Sequence, residues 1–234
     1  MNSIIIIFGI PKIIFVQKET VENYLKTIYH LSNGNAQVVS NKALADRLGV
    51  IPATVTEAVK KLHGLKLVEY EKSYGTRLTT AGAKMALDIV RRHRIWETYL
   101  ATELGFGWDE VHAIAEELEH VKNDKLIKKL AEKLGNPHFD PHGDPIPDEK
   151  GKIRKSNFIK LSDAKPKTVY TIMGVTDHSP AFLKYLEKHK LVIGVAVQVR
   201  SVEEFDHSLN VVCHKKRIAV SAVAAGCIIV APKG

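Results

Sequence analysis

Leu48-Gly49-Val50-Ile51-Pro52-Ala53-Thr54-Val55-Thr56-Glu57-Ala58-Val59 joins two short helical patterns through a turn of only a few residues. Upstream, Ser40 is placed to cap a helix carrying Ala43, Leu44 and Leu48, and Gly49 supplies the left-handed residue that closes it. Downstream, Pro52 suits the first turn of the next helix, where its missing N–H is not needed. That helix runs to about His63, with Val55, Val59 and Leu62 on one face, and Gly64 ends it. Before this pair, residues 19–33 place Val21, Tyr24, Leu25, Ile28 and Leu31 at three- and four-residue steps, as a helix requires. After it, Leu67–Tyr70 and Thr76–Thr79 alternate as two strands around Glu71-Lys72-Ser73-Tyr74-Gly75. Helix, helix, tight turn, helix and hairpin is the order of a winged helix-turn-helix.

The pattern then changes twice. Thr80 opens a long helix to about Leu104, which Gly105-Phe106-Gly107-Trp108 interrupts. Asp109 starts a helix over about 110–122, and Asn123-Asp124 another to Leu134. Residues 135–157 are rich in Pro, Gly and charge, and read as a structured loop and a linker. Beyond 158, Thr168–Met173, Val195–Val199, Leu209–Val212 and Cys227–Val230 are short β-branched runs, with a helix expected from Ser179 to His189. Short strands between turns suggest a small barrel. The expected division is an apolar extension over 1–18, a winged helix-turn-helix over 19–82, a helical domain over 83–152, a linker over 153–165 and the small barrel over 166–234. The fold class is mainly α with α+β parts.

Composition narrows the function. With 45% hydrophobic and 26% charged residues, the chain can bury a core without staples. Two cysteines, Cys213 and Cys227, are too few for a disulfide scaffold, so a reducing cytoplasm is expected. No CxxC occurs, which excludes a zinc finger. The apolar stretch Ser3–Val16 is interrupted by Gly9, Pro11 and Lys12. A membrane-spanning helix needs roughly 20 apolar residues, so no membrane partner is expected, and a loose tail or a start placed too early is favoured over a strand. The net charge of +8 points to a polyanion.

A helix-turn-helix inserts its second helix N-terminus first into the major groove, which makes double-stranded DNA the expected partner. Pro52, Ala53, Thr54, Thr56 and Glu57 occupy that end. Thr54 and Thr56 can bond phosphates or base edges, Ala53 can touch a thymine methyl, and Glu57 can accept from a cytosine amino group. Lys60, Lys61, Lys72 and Arg77 are candidate phosphate clamps.

The stretch Val111-His112-Ala113-Ile114-Ala115-Glu116-Glu117-Leu118-Glu119-His120 carries the chemistry. At about 100° per residue, His112, Glu116, Glu119 and His120 fall within about 100° of arc on one helix face. Two imidazoles and two carboxylates there are costly to bury, and a divalent cation removes that cost. Mixed nitrogen and oxygen donors suit Mn²⁺, Fe²⁺, Zn²⁺, Co²⁺ or Ni²⁺ rather than Ca²⁺ or Mg²⁺. His93 and Glu97 are adjacent one turn apart on the preceding helix. The natural division is one site of His93, Glu97 and His112 and another of Glu116, Glu119 and His120. HExxH is absent and no nucleophile sits in a recognisable setting, so neither an enzyme nor a small-molecule substrate is expected.

Taken together, Glu22–Tyr29, Thr54–Val59, Arg92–Glu97, His112–His120 and Pro141-His142-Gly143-Asp144-Pro145-Ile146-Pro147 resemble the diphtheria-toxin-repressor and manganese-transport-regulator family over residues 19–234. The resemblance implies a winged helix-turn-helix, a helical metal-binding and dimerisation domain, and a barrel like an SH3 or FeoA domain. It implies a homodimeric repressor of metal homeostasis with Fe²⁺ or Mn²⁺ as corepressor. It places His93, Glu97 and His112 in an ancillary site, and Glu116, Glu119 and His120 in a primary site with Asn23 at its N-terminal ligand position. His178, beside Asp177, lies nearest the position from which the third domain completes the ancillary site. Iron-type members carry Met and Cys at the positions of Asn23 and Glu116, and manganese-type members Asp and Glu. Lys26 stands where some manganese regulators carry a further Glu. Oxygen in place of sulfur tilts the preference toward Mn²⁺. The alternative is a metal-independent winged-helix DNA-binding protein with a structural metal site.

Overall fold

The computed structural model describes residues 18–154 and 157–233, so the apolar stretch over 1–17 lies outside the described residues. It divides into two compact units. The described part of the first covers residues 18–92, 119–122 and 147–152; the second covers 93–118, 123–146 and 153–233 without 155 and 156.

In the first unit, α1 (Lys18–Leu31), α2 (Asn41–Leu48) and α3 (Pro52–Gly64) precede a hairpin of β1 (Val68–Glu71) and β2 (Gly75–Leu78). The apolar stripes read from the sequence meet in one core of Val21, Leu25, Ile28, Leu44, Val55, Val59, Leu62, Val68 and Leu78. The turn is built from the expected caps. Ser40 Oγ accepts from the Ala43 amide at 3.2 Å, and Gly49 adopts a φ of +66°. The hairpin register pairs Val68 with Leu78 and Glu69 with Arg77, so the period of two buries the first pair and exposes the second. The helix α4 (Thr80–Glu103) follows.

In the second unit, α5 (Val111–Leu118) and α6 (Asp124–Lys133) pack through two small cores. One gathers Ile95, Ile127, Leu130, Ala131 and Ile146; the other gathers Leu100, Val111 and Ala115. Asn123 caps α6, its Oδ1 accepting from the Leu126 amide at 3.0 Å. The helix α5 is shorter than its sequence pattern: it ends at Leu118, and Glu119 and His120 lie in a turn. The Glu119 carbonyl accepts a hydrogen bond of 2.6 Å from the Arg92 guanidinium, so a side chain takes an acceptor that a longer helix would use.

The rest of this unit is a six-stranded antiparallel sheet of β3 (Ile159–Lys160), β4 (Val169–Val175), β5 (Ala196–Val202), β6 (Leu209–Cys213), β7 (Lys216–Val220) and β8 (Ile228–Pro232). The order is β3-β8-β4-β5-β6-β7. Two helices accompany it, α7 (Pro180–Lys188) and α8 (Ala222–Cys227). With β3 and β7 at opposite ends, pairing among the described residues leaves the expected barrel open, an SH3-like sheet. Four elements among the described residues were not foreseen: β3, β7, α8 and a one-turn 3₁₀ helix over Leu161–Asp163. β3 has two residues and α8 six, too few to show a period. β7 carries Lys216 and Arg217 outward, the charge that protects an edge strand and hides its alternation. No helix among the described residues is long and apolar enough to cross a membrane.

Candidate metal centre

The second unit concentrates imidazoles and carboxylates around one buried atom, Glu97 Oε1. On α4, His93 and Glu97 are one turn apart and face the same way. His93 Nε2 lies 3.0 Å from Glu97 Oε1, and His112 Nδ1 on α5 is 3.0 Å from the same oxygen. The two imidazole nitrogens are 3.1 Å apart. Glu116, one turn after His112, closes the outer side, its Oε1 3.6 Å from His112 Nε2 and 4.0 Å from His93 Nδ1. His93 and Glu97 are buried, whereas the side chains of His112 and Glu116 keep 45% and 41% exposure, which leaves an approach from solvent.

A loop supplies further donors. His142 Nδ1 sits 3.7 Å from Glu97 Oε1, and its Nε2 lies 2.7 Å from the Trp108 carbonyl. A carbonyl only accepts, so Nε2 carries the proton and, in the neutral ring, Nδ1 presents its lone pair toward the carboxylate. Two acceptors facing each other across 3.7 Å require a proton or a cation between them. The side-chain atoms His142 Nδ1, Asp140 Oδ2 and His178 Nε2 are buried without a hydrogen-bond partner among the described residues. The His178 ring stacks on His142 at 4.7 Å between centroids, and its Nε2 is 3.7 Å from Asp144 Oδ2.

The loop is held by two devices. Arg94 on α4 donates to the Pro145 carbonyl at 2.5 Å and lies 3.6 Å from Asp140 and 3.4 Å from Asp144. Gly143 has a φ of +86°, and a Cβ built there would fall 2.0 Å from the Met173 carbonyl oxygen on β4. Only glycine permits both that backbone and that approach.

The electrostatics follow from this crowding. Burial alone would raise the Glu97 carboxyl, but the imidazoles of His112, His142 and His93 around it outweigh burial and hold the group well below the usual range. Asp140 is pushed up to about 8 by burial, then by the charges of Glu97 and Asp144, against Arg94 and His142. Burial opposes protonation of His142, but Glu97 and Asp140 prevail and raise it. His178 is lowered, first by burial. Donor atoms converge within 4.8 Å in two groups, His93/His112/Glu116 and Glu97/Asp140/His142. This donor chemistry fits a divalent transition metal: imidazole and carboxylate, partly desolvated, with lone pairs lacking donors.

The remaining expected ligands belong to the first unit. Glu119 and His120 follow α5 directly, and they meet Glu22 and Lys26 of α1. His120 Nδ1 is 2.7 Å from Glu22 Oε2, and Lys26 donates to Glu119 Oε2 at 2.5 Å. Asn23 is half-buried, its Oδ1 without a hydrogen-bond partner among the described residues. Glu116, expected with Glu119 and His120, lies within 4.0 Å of His93 and His112 in the second unit. Sequence reading did not name Glu22, Asp140, Asp144 and His142 as candidate ligands, although Glu22, His142 and Asp144 lie in the quoted motifs. The signal for Asp140, Asp144 and His142 was one histidine and two aspartates inside a loop stiffened by Pro141, Pro145 and Pro147.

On α3, Pro52, Ala53, Thr54, Glu57, Lys60 and Lys61 are exposed, as are Lys72 and Arg77 of the hairpin. Thr56 is half-buried, and its hydroxyl is engaged internally: it donates to the Pro52 carbonyl and accepts from Asn41 Nδ2, both at 3.0 Å. Lys60 pairs with Glu57 at 3.0 Å on the open surface.

Family models match in chain order. Residues 18–76 match the N-terminal DNA-binding domain of iron-dependent repressors, 79–148 their metal-binding and dimerisation domain, and 159–232 a FeoA domain. The iron-dependent repressor IdeR of Mycobacterium leprae is 35% identical over 112 residues, 48% of this chain and 48% of that one. The chain thus spans about half the length of curated relatives of this kind. Among solved structures, a manganese-dependent transcriptional repressor in complex with manganese superposes with a TM-score of 0.81 at 34% identity. It covers 91% of this chain and 100% of that one. ScaR with bound Zn²⁺ gives 0.74 at 32%, covering 91% and 99%. The winged helix-turn-helix, the histidine-bearing helical region and the FeoA-like sheet place this chain in the family of iron-dependent repressors.

Proposed function

We propose that the protein is a metal-dependent, DNA-binding transcriptional repressor that acts as a homodimer, with Mn²⁺ or Fe²⁺ as corepressor. The observation that carries this reading is the convergence of His93, His112 and His142 on the buried Glu97 carboxylate, in a chain that also presents a helix-turn-helix. His93, Glu97, His112 and Glu116 would hold the ion, with Asp140 and His142 from the loop and His178 beside them. When bound, the ion supplies positive charge that neutralises these carboxylates and orders the loop. Zn²⁺, Co²⁺ and Ni²⁺ suit the same donors.

The residues of the first unit supply the DNA contacts. Ala53 and Thr54 stand exposed at the leading end of α3 and read base edges, while Lys60, Lys61, Lys72 and Arg77 fix register on phosphates. Thr56 positions α3 against Asn41, and Glu57 restrains Lys60. An exposed pair of that kind contributes at most about 1 kcal/mol and gives way readily to a phosphate.

Metal and operator then raise each other's affinity by one common factor. The test is a binding titration against fragments from the promoter of the protein's own gene and from a randomised duplex pool. Chelator should abolish sequence-specific binding, and added Mn²⁺ or Fe²⁺ should restore it. Affinity that ignores both treatments refutes the proposal.

A further inference from the structure

The first unit contains a second cluster that looks like a ligand set until its charges are counted. Glu22 and Glu119 are buried carboxylates, their side chains 2% and 0% exposed. His120 lies between them, with Nδ1 2.7 Å from Glu22 Oε2 and Nε2 4.0 Å from Glu119 Oε1. Three cations of the same unit already occupy this set. Lys26 Nζ is 2.5 Å from Glu119 Oε2; Arg92 Nη2 is 3.4 Å from Glu22 Oε1, and Lys122 Nζ pairs with that same oxygen. Arg92 also binds the Glu119 carbonyl through Nε at 2.6 Å.

We infer that Lys26, with Arg92 and Lys122, takes the place of a divalent metal at Glu22, Glu119 and His120, so that the chain's metal chemistry is confined to the His93 cluster. The inference rests on the proposed metal role of that cluster. Arg92 is shared with Asp88, so three carboxylates face three built-in cations, which leaves no net negative charge for a further ion to neutralise. An ion entering there has to displace Lys26 from Glu119. Lys26 is itself 8% exposed and would be left as a buried, uncompensated ammonium. The contrast with the second unit is direct. Around Glu97 the surrounding groups are imidazoles, which give up a proton and coordinate; around Glu119 the partner is an ammonium, which has three donors and no lone pair. Both groups of described residues whose donors converge within 4.8 Å belong to the His93 cluster. Lys26 therefore ties α1 to residues 119–122 permanently, whatever the metal supply.

The full-length chain, stripped with chelator, is titrated with Co²⁺ and with Mn²⁺ alone. Co²⁺ is followed by its visible absorption and both ions by calorimetry. Glu119→Gln and His120→Asn are expected to leave the number of ions bound unchanged and the affinity within about two-fold of the parent. His112→Ala should weaken binding by at least ten-fold. Should Glu119→Gln fail to fold because Lys26 loses its partner, Lys26→Met combined with Glu119→Gln removes both charges and reads the same quantity. Loss of one ion, or ten-fold weaker binding, in Glu119→Gln, His120→Asn or the paired variant overturns the inference. Failure of the parent chain to bind any ion would instead overturn the proposed role of the His93 cluster and leave the assignment of Lys26 standing.

Discussion

Replacing Gly143 by alanine tests whether the loop bearing Asp140 and His142 is built into the site by backbone contact. At a φ of +86° an alanine bears left-handed strain of about 1–2 kcal/mol. Its Cβ would stand 2.0 Å from the Met173 oxygen and 2.3 Å from the Gly174 Cα. Both belong to β4, which has no flexible end to move aside. The loop has to retreat by about an ångström or more, which breaks the 2.8 Å hydrogen bond from the Val175 amide to the His142 carbonyl. That loss adds about 1 kcal/mol, and the displaced packing a similar amount, for a total near 3–4 kcal/mol. Gly194→Ala is the control: its φ is +85° with nothing within 4 Å of a built Cβ, so it carries backbone strain alone. Both tryptophans, Trp96 and Trp108, lie in the second unit, so their fluorescence in urea reports its unfolding directly. The Gly143 variant should lose about 0.7–2 M more in its urea midpoint than the control, from a difference of about 2 kcal/mol and slopes of about 1–3 kcal/mol per M. It should also bind Co²⁺ at least ten-fold more weakly, because His142 and Asp140 move with the loop. A variant within about 1 kcal/mol of the control, with parental Co²⁺ affinity, refutes the reasoning.

Asp140, with a carboxyl near 8 in the fold against an ordinary value near 4, favours its protonated form. Its ionisation therefore costs stability progressively as pH rises from about 4 to about 8, and Asp140→Asn should flatten the urea midpoint of the metal-free chain across that window. For the same reason Co²⁺ binding at pH 7 should release protons, seen as a calorimetric heat that scales with buffer ionisation enthalpy; no such dependence counts against Asp140 and His142 as ligands. Glu97 has the opposite sign: its carboxyl is depressed, so its contribution is present above the ordinary carboxylate range and is lost as pH falls through its folded value. Glu97→Gln should remove that acid-side dependence and weaken Mn²⁺ by at least about ten-fold. Lys72→Ala and Arg77→Ala should each lower the salt dependence of operator binding by about one counterion and leave Mn²⁺ affinity alone; an unchanged slope would remove that residue from the phosphate contacts. Ile95→Ala, at a fully buried position of the helical core, should cost about 2–5 kcal/mol in the same urea assay.

Much of this protein is legible in one dimension because the signals are local. Ser40, Gly49 and Pro52 act within a few residues of themselves, so the helix-turn-helix can be read from caps and period alone, and the structure builds it with those residues. His93 and Glu97 are likewise four apart on one helix, a spacing that brings them together in any context. Legibility fails where a position depends on a distant partner. Helical phase alone groups Glu116 with Glu119 and His120, but α5 stops at Leu118 once Arg92 claims the Glu119 carbonyl, and Glu116 lies within 4.0 Å of His93 and His112. His142 and Asp140 lie in a loop without period, and contacts distant in sequence, among them those of Arg94, the Trp108 carbonyl and β4, bring them to Glu97. Composition and spacing thus determined a basic winged-helix chain bearing metal-ligand chemistry. Which of its histidines and carboxylates face each other, and which face a lysine, was decided by tertiary packing, because a charge responds to whatever lies within a few ångströms and not to its neighbours in sequence.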